Sequence, residues 1–368
     1  MLQISYLNPI DKYGGVEGYI LNLSRCLSIR HKVTVDILCA GKTPAISHSP
    51  FGNVITLRVP FIKKGFLFFI SKYFYGKLVS DYLDLHSAEY DAIHFHGDNG
   101  LIEYGWSNKS ILTLHGVSRD TSTLMKRIIT FIPTSIEKNN AKKATIVFSV
   151  STEAKEFFQK YNKEIHMIKQ SIDPALFHVP SEIEKKNARG RLGIDNNALV
   201  GAIIGREPKR KGLHLAIEAI NVVAEPRILL NAIGFPRATN VNNFVKFTGN
   251  VDDDTKLLYL SASDFFIFPS MKEGFPMSVL EAAACGLPLI VSKQSGVSEL
   301  ASLVPFYREI SSNNPDDYAD ALKNLIAMLS KPDFYKVTHN VNKIEQYSND
   351  STTKIYIGAY EGLIQNRL

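Results

Sequence analysis

The chain has 368 residues, of which 45% are hydrophobic and 21% are charged, as in ordinary folded proteins in water. This length exceeds what one hydrophobic core usually organises, so we expect two domains. No apolar run approaches the roughly 20 residues that cross a bilayer, which argues against a transmembrane protein. The N-terminus also lacks the charged start and cleavage site of a signal peptide. The three cysteines, Cys26, Cys39 and Cys285, lack metal-binding spacing and predict reduced thiols in a cytoplasmic protein.

The excess positive charge lies in the first half of the chain. Residues 1–180 contain 21 lysines and arginines against 15 acidic residues, a net charge of +6, whereas residues 181–368 contain 21 of each. A basic surface is typical of proteins that meet nucleic acid or an anionic membrane. The sequence has no zinc-finger spacing, RNP-type strand or evident helix-turn-helix, so we expect no nucleic-acid partner.

Strands and helices alternate along the chain, a pattern that predicts parallel sheets and an α/β fold. In the first half we predict strands near residues 2–7, 33–39, 54–59, 91–95, 110–114, 145–150 and 165–168. The polar stretch 174–198 predicts a linker and the approach to a second domain. There a strand at 199–205 and a helix at 211–223 begin further βα units that continue to about residue 340. The tail, residues 347–368, predicts a final helix.

Two glutamates lie on either side of a predicted strand-to-helix turn. The apolar run 264–268 ends in Pro-Ser, and a helix is expected from Val279 to Cys285, so Glu273 falls in the loop and Glu281 in the helix. Carboxylates in these places can accept hydrogen bonds from the vicinal hydroxyls of a sugar and of a ribose. The backbone N–H groups of Met277, Ser278 and Val279, expected to be unpaired at the helix start, suit a diphosphate. The candidate donor-binding residues here are Glu273, Gly274, Phe275, Pro276, Met277, Ser278, Val279 and Glu281.

Three further segments follow predicted strands. Gly14 and Gly15 form a loop in which missing side chains let backbone N–H groups approach phosphates. His115 ends the strand Leu112-Thr113-Leu114, while His94 and His96 on the preceding strand are expected to be supporting residues. Arg206 and Lys211 fall in the segment 204–212, where two fixed cations would stabilise a departing diphosphate. The neighbouring cations Lys209 and Arg210 receive no role.

These motifs resemble the signature of the retaining family 4 glycosyltransferases (glycosyl transferases group 1). The resemblance rests on Glu-x7-Glu with Gly-Phe-Pro inside it, on the following segment 281–292, and on Gly-Arg-x4-Lys-Gly at 205–212. It implies the GT-B fold, with two Rossmann-like, doubly wound domains facing a central cleft. The expected domains are residues 1–178, which bind the acceptor, and residues 179–346, which bind the donor, with residues 347–368 crossing back onto the first.

The resemblance implies a hexosyltransferase that uses a nucleoside-diphosphate sugar, linked to UDP or GDP, and keeps the anomeric configuration. It assigns catalytic roles to His115, Arg206, Lys211 and Glu273, a ribose contact to Glu281 and a donor or acceptor contact to Gly15. The acceptor is expected to be a glycan hydroxyl, on a lipid-linked or cell-surface glycan. The alternatives are a nucleotide-sugar epimerase or hydrolase of the same fold, and a non-catalytic sugar-nucleotide-binding subunit of a membrane complex.

Two segments imitate functional motifs. Asp252-Asp253-Asp254 could be taken for a metal-binding Asp-x-Asp, but it stands just before a helical run, so we interpret it as helix-capping acid. With Arg206 and Lys211 supplying positive charge, we expect no metal cofactor. The turn 295–299 departs from the family's Gly-Gly-x-Pro-Glu by having Ser295 and Ser298, which leaves Glu299 without an assigned role.

The segment 61–77 combines seven aromatic residues with four lysines. That composition is typical of a helix at a membrane interface. The alternative is an amphipathic helix that packs on the sheet with solvated lysines. The net +6 of this half and the basic residues Lys126, Arg127, Lys142 and Lys143 favour an anionic membrane surface as a partner, which would place the protein peripherally on the inner face of the membrane.

Overall fold

Two open sheets, each in its own unit of the chain, organise the protein. The computed structural model describes residues 1–11, 15–59, 66–118, 123–237, 243–271, 273, 275–293, 297–331 and 341–365. One unit comprises Met1–Ser171 and Tyr347–Leu368, and the other comprises Ile172–Gln346. The division precedes the expected boundary after residue 178. Phe177 is buried, with Nζ of Lys256 only 5.1 Å from its ring centroid, so this stretch already packs in the second unit.

The first unit contains a largely parallel sheet. Its strands are β1 (Leu2–Ile4), β2 (Asp36–Gly41), β3 (Ala45–Ser49), β4 (Gly52–Arg58), β5 (Ile93–His96), β6 (Ser110–Leu114), β7 (Ile146–Ser149) and β8 (Ile165–Met167). Their order is β3-β4-β2-β1-β5-β6-β7-β8, and β3 alone among the described strands runs antiparallel to its neighbour. The sequence analysis missed β3, because this mostly exposed edge strand has no buried face to impose an alternating pattern.

The second unit contains a fully parallel sheet among the residues described. Its strands are β9 (Leu199–Ile204), β10 (Ile228–Ile233), β11 (Val245–Gly249), β12 (Phe265–Phe268), β13 (Leu289–Ser292) and β14 (Tyr307–Ile310). Their order is β11-β10-β9-β12-β13-β14. The four residues of β12 are all buried, as a strand covered on both faces by helices requires.

Helices cover these sheets. The helices of the first unit are α1 (Gly15–His31), α2 (Phe66–His86), α3 (Leu124–Ile129), α4 (Phe131–Lys143), α5 (Thr152–Phe158) and α12 (Asn349–Gln365). Those of the second unit are α6 (Glu182–Leu192), α7 (Leu213–Val223), α8 (Asp253–Ser261), α9 (Met277–Ala284), α10 (Pro315–Leu329) and α11 (Val341–Ile344). Within the described residues, none of these helices is long and apolar enough to span a bilayer.

The stretch 174–198 is not the simple linker that its polar composition predicted. It contains α6, which begins with a capping box in which the Ser181 side chain accepts from the Glu184 N–H and the Glu184 side chain accepts from the Ser181 N–H. The helix ends at Gly193, whose φ of 65° is a left-handed conformation that favours glycine. Buried Arg189 fixes α6 to β12, because its Nη2 lies 2.6 Å from Asp264 Oδ2. The Ser-x-x-Glu signal was present in the sequence and overlooked.

The interpretation of the three aspartates at 252–254 as capping residues is confirmed. Asp252 is the N-cap of α8, and its Oδ1 accepts from the Thr255 N–H at 2.8 Å. Asp253 lies 3.3 Å from Lys256 Nζ, one turn further along the helix. The negative charges therefore complement the positive end of α8.

A hydrogen-bond network joins the C-terminal helix α12 to the first sheet. The Tyr356 hydroxyl lies 2.8 Å from both the Tyr19 hydroxyl and Thr113 Oγ1, and the Tyr360 hydroxyl lies 2.8 Å from His94 Nδ1. His94 Nε2 lies 2.8 Å from the same Thr113 hydroxyl. These groups are buried, so each of these hydrogen bonds compensates for polar atoms withdrawn from water.

Three histidines beside this network are held neutral. His94 stacks on His96 with ring centroids 4.3 Å apart, and His96 Nδ1 lies 3.1 Å from His115 Nε2. Burial lowers the pKa of His94 to about 3 and that of His115 to about 4, and burial with the neighbouring rings lowers the pKa of His96 well below its usual range. Protonating any of them requires a charge inside a packed sheet.

We predict that the free energy of unfolding falls as the pH falls from about 6.5 toward 5. In this range the histidines of the unfolded chain bind protons and the native histidines do not. The free energy of unfolding therefore falls by about 1.4 kcal/mol per pH unit for each group. Buried Glu137 acts in the opposite direction, because burial and Asp98 raise its pKa to about 8 and the native state therefore holds a proton that the unfolded chain lacks in this range. Its effect offsets that of one histidine. The expected net loss is about 2–3 kcal/mol per pH unit, measured by denaturant unfolding at several pH values. A free energy that is constant or rises over this range would contradict the assignment of three neutral histidines.

Candidate functional site

Both sheets reverse their strand order beside a central strand, and the carboxyl ends of strands at such points form ligand sites in open α/β sheets. In the first sheet the reversal lies between β1 and β5, and in the second between β9 and β12. The segments that follow these four strands contain most of the candidate residues. The topology therefore places the sequence motifs at the two expected positions, one in each unit.

A cavity of about 290 Å³ opens at the reversal point of the first sheet. Its walls include Gly15 at the start of α1, His96 and Asp98 after β5, and His115 after β6. The volume is close to the lower end of the usual range for small-molecule sites, about 300–1,000 Å³. The cavity therefore has room for one small polar ring.

His115 lies at the end of β6 and lines this cavity, as predicted from its position after the strand. Tyr19 packs edge-on against the His115 ring, with 5.0 Å between centroids. The Nε2 atom of His115 shares a 3.1 Å hydrogen bond with His96 Nδ1. His96 in turn shares a 2.6 Å hydrogen bond with Gln3 Oε1. The neutral imidazole is thus fixed in orientation as a hydrogen-bonding group. His94 and His96 support it, as expected.

A buried carboxyl and an ion pair form another wall of the cavity. Ser118 donates its hydroxyl to Glu137 Oε1 at 2.7 Å and its backbone N–H to Oε2 at 3.1 Å. Lys72 Nζ lies 2.6 Å from Asp98 Oδ1. Burial and the charge of Asp98 raise the pKa of Glu137 to about 8, so this carboxyl is largely protonated at neutral pH.

The glycine loop is only partly within the described residues. Gly15 begins α1 and borders the cavity, and a Cβ at this position would meet no described atom within 4 Å. Tyr13 and Gly14, which carry the rest of that predicted motif, lie outside the described residues. Its backbone approach to a ligand therefore stays a prediction.

In the second unit two glycines allow the loop after β9 to approach β12. A Cβ on Gly212 would lie 2.0 Å from the carbonyl oxygen of Pro269, and the φ of 67° at Gly212 also favours glycine. A Cβ on Gly205 would lie 2.6 Å from Cγ of Lys211. The Met271 N–H donates to the Arg210 carbonyl at 2.9 Å, which joins the two loops. Packing therefore requires glycine at both positions.

Glu273 is the centre of a charged cluster that these loops bring together. Its Oε1 accepts from Lys211 Nζ at 2.7 Å, Arg210 Nη1 at 2.9 Å and Ser270 Oγ at 2.6 Å. Lys211 also lies 4.7 Å above the Phe268 ring, and its burial lowers its pKa while Glu273 opposes that change. Two of the predicted site residues, Lys211 and Glu273, are adjacent in space, and Arg210 and Ser270 join them.

Arg206 occupies the same loop and has an exposed side chain. It belongs to the turn between β9 and α7 that also carries Lys209, Arg210 and Lys211. The structure thus brings Lys211 to the carboxylate and leaves Arg206 at the exposed edge of the loop.

The start of α9 differs from the prediction at one residue. The Val279 N–H donates to the Pro276 carbonyl at 3.0 Å, so the expectation that this group is unpaired was wrong: Pro276 is the N-cap, and a tight first turn uses the bond. Among the described residues, the N–H groups of Met277 and Ser278 have no backbone partner at this helix start. Phe275 precedes them in the loop, and Gly274 lies outside the described residues.

Glu281 forms a buried ion pair with Lys256. Lys256 Nζ on α8 lies 2.5 Å from Glu281 Oε1, and the glutamate is 8% exposed. Burial raises the pKa of Glu281, and Lys256 acts in the opposite direction. Burial also disfavours the charge on Lys256, but its bonds to Glu281 and Asp253 outweigh that and raise its pKa. Lys256 therefore helps to keep Glu281 ionised and fixes its orientation.

Several residues of these sites were not predicted from the sequence. Arg210 received no role from the sequence, and Asp98 was not among the predicted site residues. Glu137 and Lys256 lie on helices with no motif around them, so no signal in one sequence identified them. Glu299 lies in a helical turn at Ser298–Leu303, and Ser295 and Gly296 before it fall outside the described residues.

Two family models match the chain, one in each unit. Residues 13–176 match Glycosyltransferase Family 4, and residues 184–336 match Glycosyl transferases group 1. The second match falls within the second unit, and the first covers most of the first unit and extends a few residues past its end at Ser171. Together they include the residues of both candidate sites, from Gly15 to Glu281.

Curated relatives are similar at low identity. An uncharacterized glycosyltransferase of Methanocaldococcus jannaschii is 26% identical over 232 residues, which span 59% of this chain and 59% of that protein. A UDP-Gal:alpha-D-GlcNAc-diphosphoundecaprenol alpha-1,3-galactosyltransferase of Escherichia coli is 26% identical over 310 residues, 76% of this chain and 78% of that protein. The first match thus spans less than two thirds of the relative's length.

Solved structures share the fold along nearly the whole chain. Sucrose-phosphate synthase of Thermosynechococcus elongatus has a TM-score of 0.76 at 20% identity and covers 99% of both chains. HepE of Anabaena, in complex with UDP and glucose, has a TM-score of 0.70 at 16% identity and covers 98% of both chains. These similarities show the GT-B fold. The two matched family models show that the chain belongs to the group 1, family 4 glycosyltransferases.

Proposed function

We propose that the protein is a retaining hexosyltransferase that moves a hexose from a UDP- or GDP-linked sugar to an acceptor hydroxyl. The observation that carries the proposal is the cluster of Lys211, Arg210 and Glu273 at the carboxyl ends of β9 and β12. Cations and a carboxylate at one point suit a ligand that presents a diphosphate and sugar hydroxyls together. HepE, which shares the fold, was solved with UDP and glucose.

The cations would act on the leaving group. As the glycosidic bond breaks, the nucleoside diphosphate gains negative charge, and fixed cations stabilise that state more than the ground state. Lys211 is paired with Glu273, and donor binding would let the ammonium share its charge with the diphosphate. Arg206 and Arg210 would supply further charge, and Glu273 would accept hydrogen bonds from the sugar hydroxyls.

The proposal also assigns roles to four further residues. The Met277 and Ser278 N–H groups at the start of α9 would donate to phosphate oxygens, and Glu281, held ionised by Lys256, would accept from the ribose hydroxyls. Neutral His115 would hydrogen-bond the transferred sugar. Its low pKa means that it would contribute a fixed hydrogen bond and not a titrating charge.

We predict that Arg206→Ala lowers turnover by about a hundredfold or more. The reason is that its positive charge would no longer stabilise the departing diphosphate in the transition state. Lys209→Ala, which removes a neighbouring exposed cation with no assigned role, is the matched control and should retain near-normal turnover. Turnover is measured with whichever UDP- or GDP-sugar raises the melting temperature most. Equal turnover of the two variants would remove Arg206 from the site.

We propose that catalysis needs no metal, since the diphosphate charge would be met by arginine and lysine. Activity should therefore survive EDTA. Asp252→Ala should lose about 1 kcal/mol of stability through the lost N-cap but keep its turnover. Complete inactivation by EDTA, reversed by magnesium or manganese, would contradict the proposal, and inactivity of folded Asp252→Ala would place the aspartates in the active site.

We propose further that the acceptor is lipid-linked and that the first unit contacts an anionic membrane on the cytoplasmic side. Four large apolar side chains at α3 and the start of α4 are exposed: Leu124 74%, Met125 69%, Ile128 58% and Phe131 69%. Arg127 among them is exposed as well. Apolar side chains grouped with a cation are the composition that an anionic membrane interface accepts.

The segment 61–77 contributes less charge than its sequence suggested. Lys72 is not available to lipid, because it is paired with Asp98 and lies over the rings of Tyr6 and Phe68. On the same helix Tyr73, Phe74 and Lys77 are exposed, while Tyr75 is buried. Lys63, Lys64 and the rest of 60–65 lie outside the described residues, as do the side chains of Phe66, Leu67, Phe69 and Lys126.

We predict that the protein co-sediments with anionic vesicles in a salt-sensitive manner and that Leu124→Ser/Met125→Ser/Ile128→Ser weakens binding at least tenfold, because apolar surface that inserts between lipids would be lost. Ile183→Ser, which changes a similarly exposed side chain in the other unit, is the control. Lys63→Ser/Lys64→Ser/Lys77→Ser should lower the salt sensitivity. No binding by the wild type, or equal binding by all variants, would leave a soluble acceptor as the better proposal.

A further inference from the structure

A chain of hydrogen bonds runs from the first strand to His115 in the wall of the cavity. The Oε1 atom of Gln3, on β1, lies 2.6 Å from His96 Nε2, and His96 Nδ1 lies 3.1 Å from His115 Nε2. Gln3 is fully buried, whereas His115 borders the cavity. Gln3 therefore lies two hydrogen bonds away from the histidine to which the sequence assigned a sugar contact.

Each bond in this chain determines which nitrogen of the next ring carries a proton. A carbonyl oxygen only accepts, so His96 donates from Nε2 to Gln3 Oε1. A neutral imidazole has a single N–H, so His96 Nδ1 accepts, and His115 donates to it from Nε2. The other nitrogen of His115, Nδ1, then carries a lone pair and no proton. The chain thus makes His115 Nδ1 a hydrogen-bond acceptor.

The rings in this chain are neutral and fixed in place. Burial lowers the pKa of His115 to about 4, and burial with the neighbouring rings lowers the pKa of His96 well below its usual range. His94 stacks on His96 with 4.3 Å between centroids. The two nitrogens of His94 lie 2.8 Å from the hydroxyls of Tyr360 and Thr113. At neutral pH each ring of the chain therefore holds its proton in a defined position.

The Gln3 side chain is not explained by packing alone. Its Nε2 is buried and has no hydrogen-bond partner among the described residues. A buried donor without a partner is unfavourable, and an apolar side chain of similar length would avoid that cost. The amide therefore contributes through its oxygen, which orients His96. Turning the amide over would reverse every donor and acceptor along the chain, so this one side chain sets the direction of both bonds.

We propose that Gln3 is a positioning residue: through His96 it keeps His115 Nδ1 unprotonated, so that His115 accepts a hydrogen bond from a hydroxyl of the transferred hexose. The inference rests on the proposed glycosyl transfer. A hydroxyl can donate to a ring nitrogen, whereas the ring oxygen of a sugar and the oxygens of a phosphate diester only accept. The tautomer of His115 therefore favours a hexose with a hydroxyl at the contacted position and disfavours an analogue in which that hydroxyl is missing.

The direct test determines by NMR which ring nitrogen of His115 is protonated. Protein with isotopically labelled histidine is measured at neutral pH without ligand, and long-range proton–nitrogen correlations distinguish a protonated ring nitrogen from an unprotonated one. The variants His96→Asn and His115→Asn identify the signals among those of the 10 histidines. Wild-type His96 and His115 should both be protonated on Nε2 and unprotonated on Nδ1. A proton on Nδ1 of His115 would overturn the proposal, whether or not any variant folds.

Gln3→Met removes the oxygen that accepts from His96 and keeps a side chain of similar length. The reversed arrangement, in which His96 donates from Nδ1 to His115 Nε2, should then be populated and place a proton on His115 Nδ1. Gln170→Met is the matched control and should keep the wild-type tautomers. Gln170 is also buried with an unpartnered atom, Oε1, but it follows β8, which β6 and β7 separate from β5. An unchanged His115 tautomer in folded Gln3→Met would show that Gln3 does not position the ring.

A second measurement follows the same hydrogen bond during turnover. Nucleotide sugars in which one hexose hydroxyl is replaced by fluorine, which cannot donate, are compared with the parent donor. At one position the replacement should lower kcat/KM about tenfold more in the wild type than in His115→Ala, because the variant has no ring nitrogen to lose a partner. The comparison of the two proteins cancels the effect of fluorine on the reactivity of the sugar. Equal losses in both proteins at every position would contradict the hydrogen bond to His115.

This inference and the proposed glycosyl transfer fail in different ways. Release of the nucleoside diphosphate from a labelled donor reports on glycosyl transfer, whereas the tautomers are measured without ligand. If the donor is consumed normally but His115 carries its proton on Nδ1, the inference about Gln3 alone fails. If no nucleotide sugar is bound or consumed, the glycosyl-transfer proposal fails, and the sugar contact of His115 falls with it.

Discussion

Parallel strands deliver their carboxyl ends to one edge of a sheet, and both candidate sites depend on this constraint. In the first unit it brings together Asp98 after β5 and His115 after β6, and in the second it brings Lys211 after β9 to Glu273 after β12. Residues more than 60 positions apart in the second case become hydrogen-bonding neighbours. Buried β12 and the glycines at 205 and 212 hold the two loops at contact distance. The positions that allow this close packing also bring Lys211 to Glu273.

The two sites use buried charge differently. Glu273 gathers two cations and a hydroxyl on one oxygen, an arrangement that a diphosphate can enter by sharing cations already in place. Beside His115, by contrast, the single described cation is neutralised and a carboxyl gives up its proton only near pH 8. The imidazoles of His94 and His96 behind it stay neutral because they are buried within the first unit. One unit thus gathers two cations around a carboxylate, whereas the other pairs its described lysine with an aspartate.

The sequence could predict the structural features that depend on local patterns of residues. The alternating strands and helices, the strand before Glu273 and the cap at Asp252 all follow from periodicity or from a side chain's effect on its own turn. The sequence could not predict contacts between residues that lie far apart along the chain. Lys256 and Glu137 lie on helices without a motif, and only the fold reveals that they face Glu281 and Asp98. The exposed strand β3 had no buried face, and α6 was missed although its capping box was present.

The central claim is that a hexose passes from a nucleoside diphosphate to an acceptor hydroxyl with its configuration kept. The direct measurement incubates the protein with a nucleotide sugar labelled in the hexose and with lipid-linked glycan acceptors, and follows the label and its anomeric configuration by NMR. The account predicts label in a new glycosidic bond with the configuration of the donor. Label found only in free hexose or in an epimerised nucleotide sugar, or a new bond of inverted configuration, would contradict it.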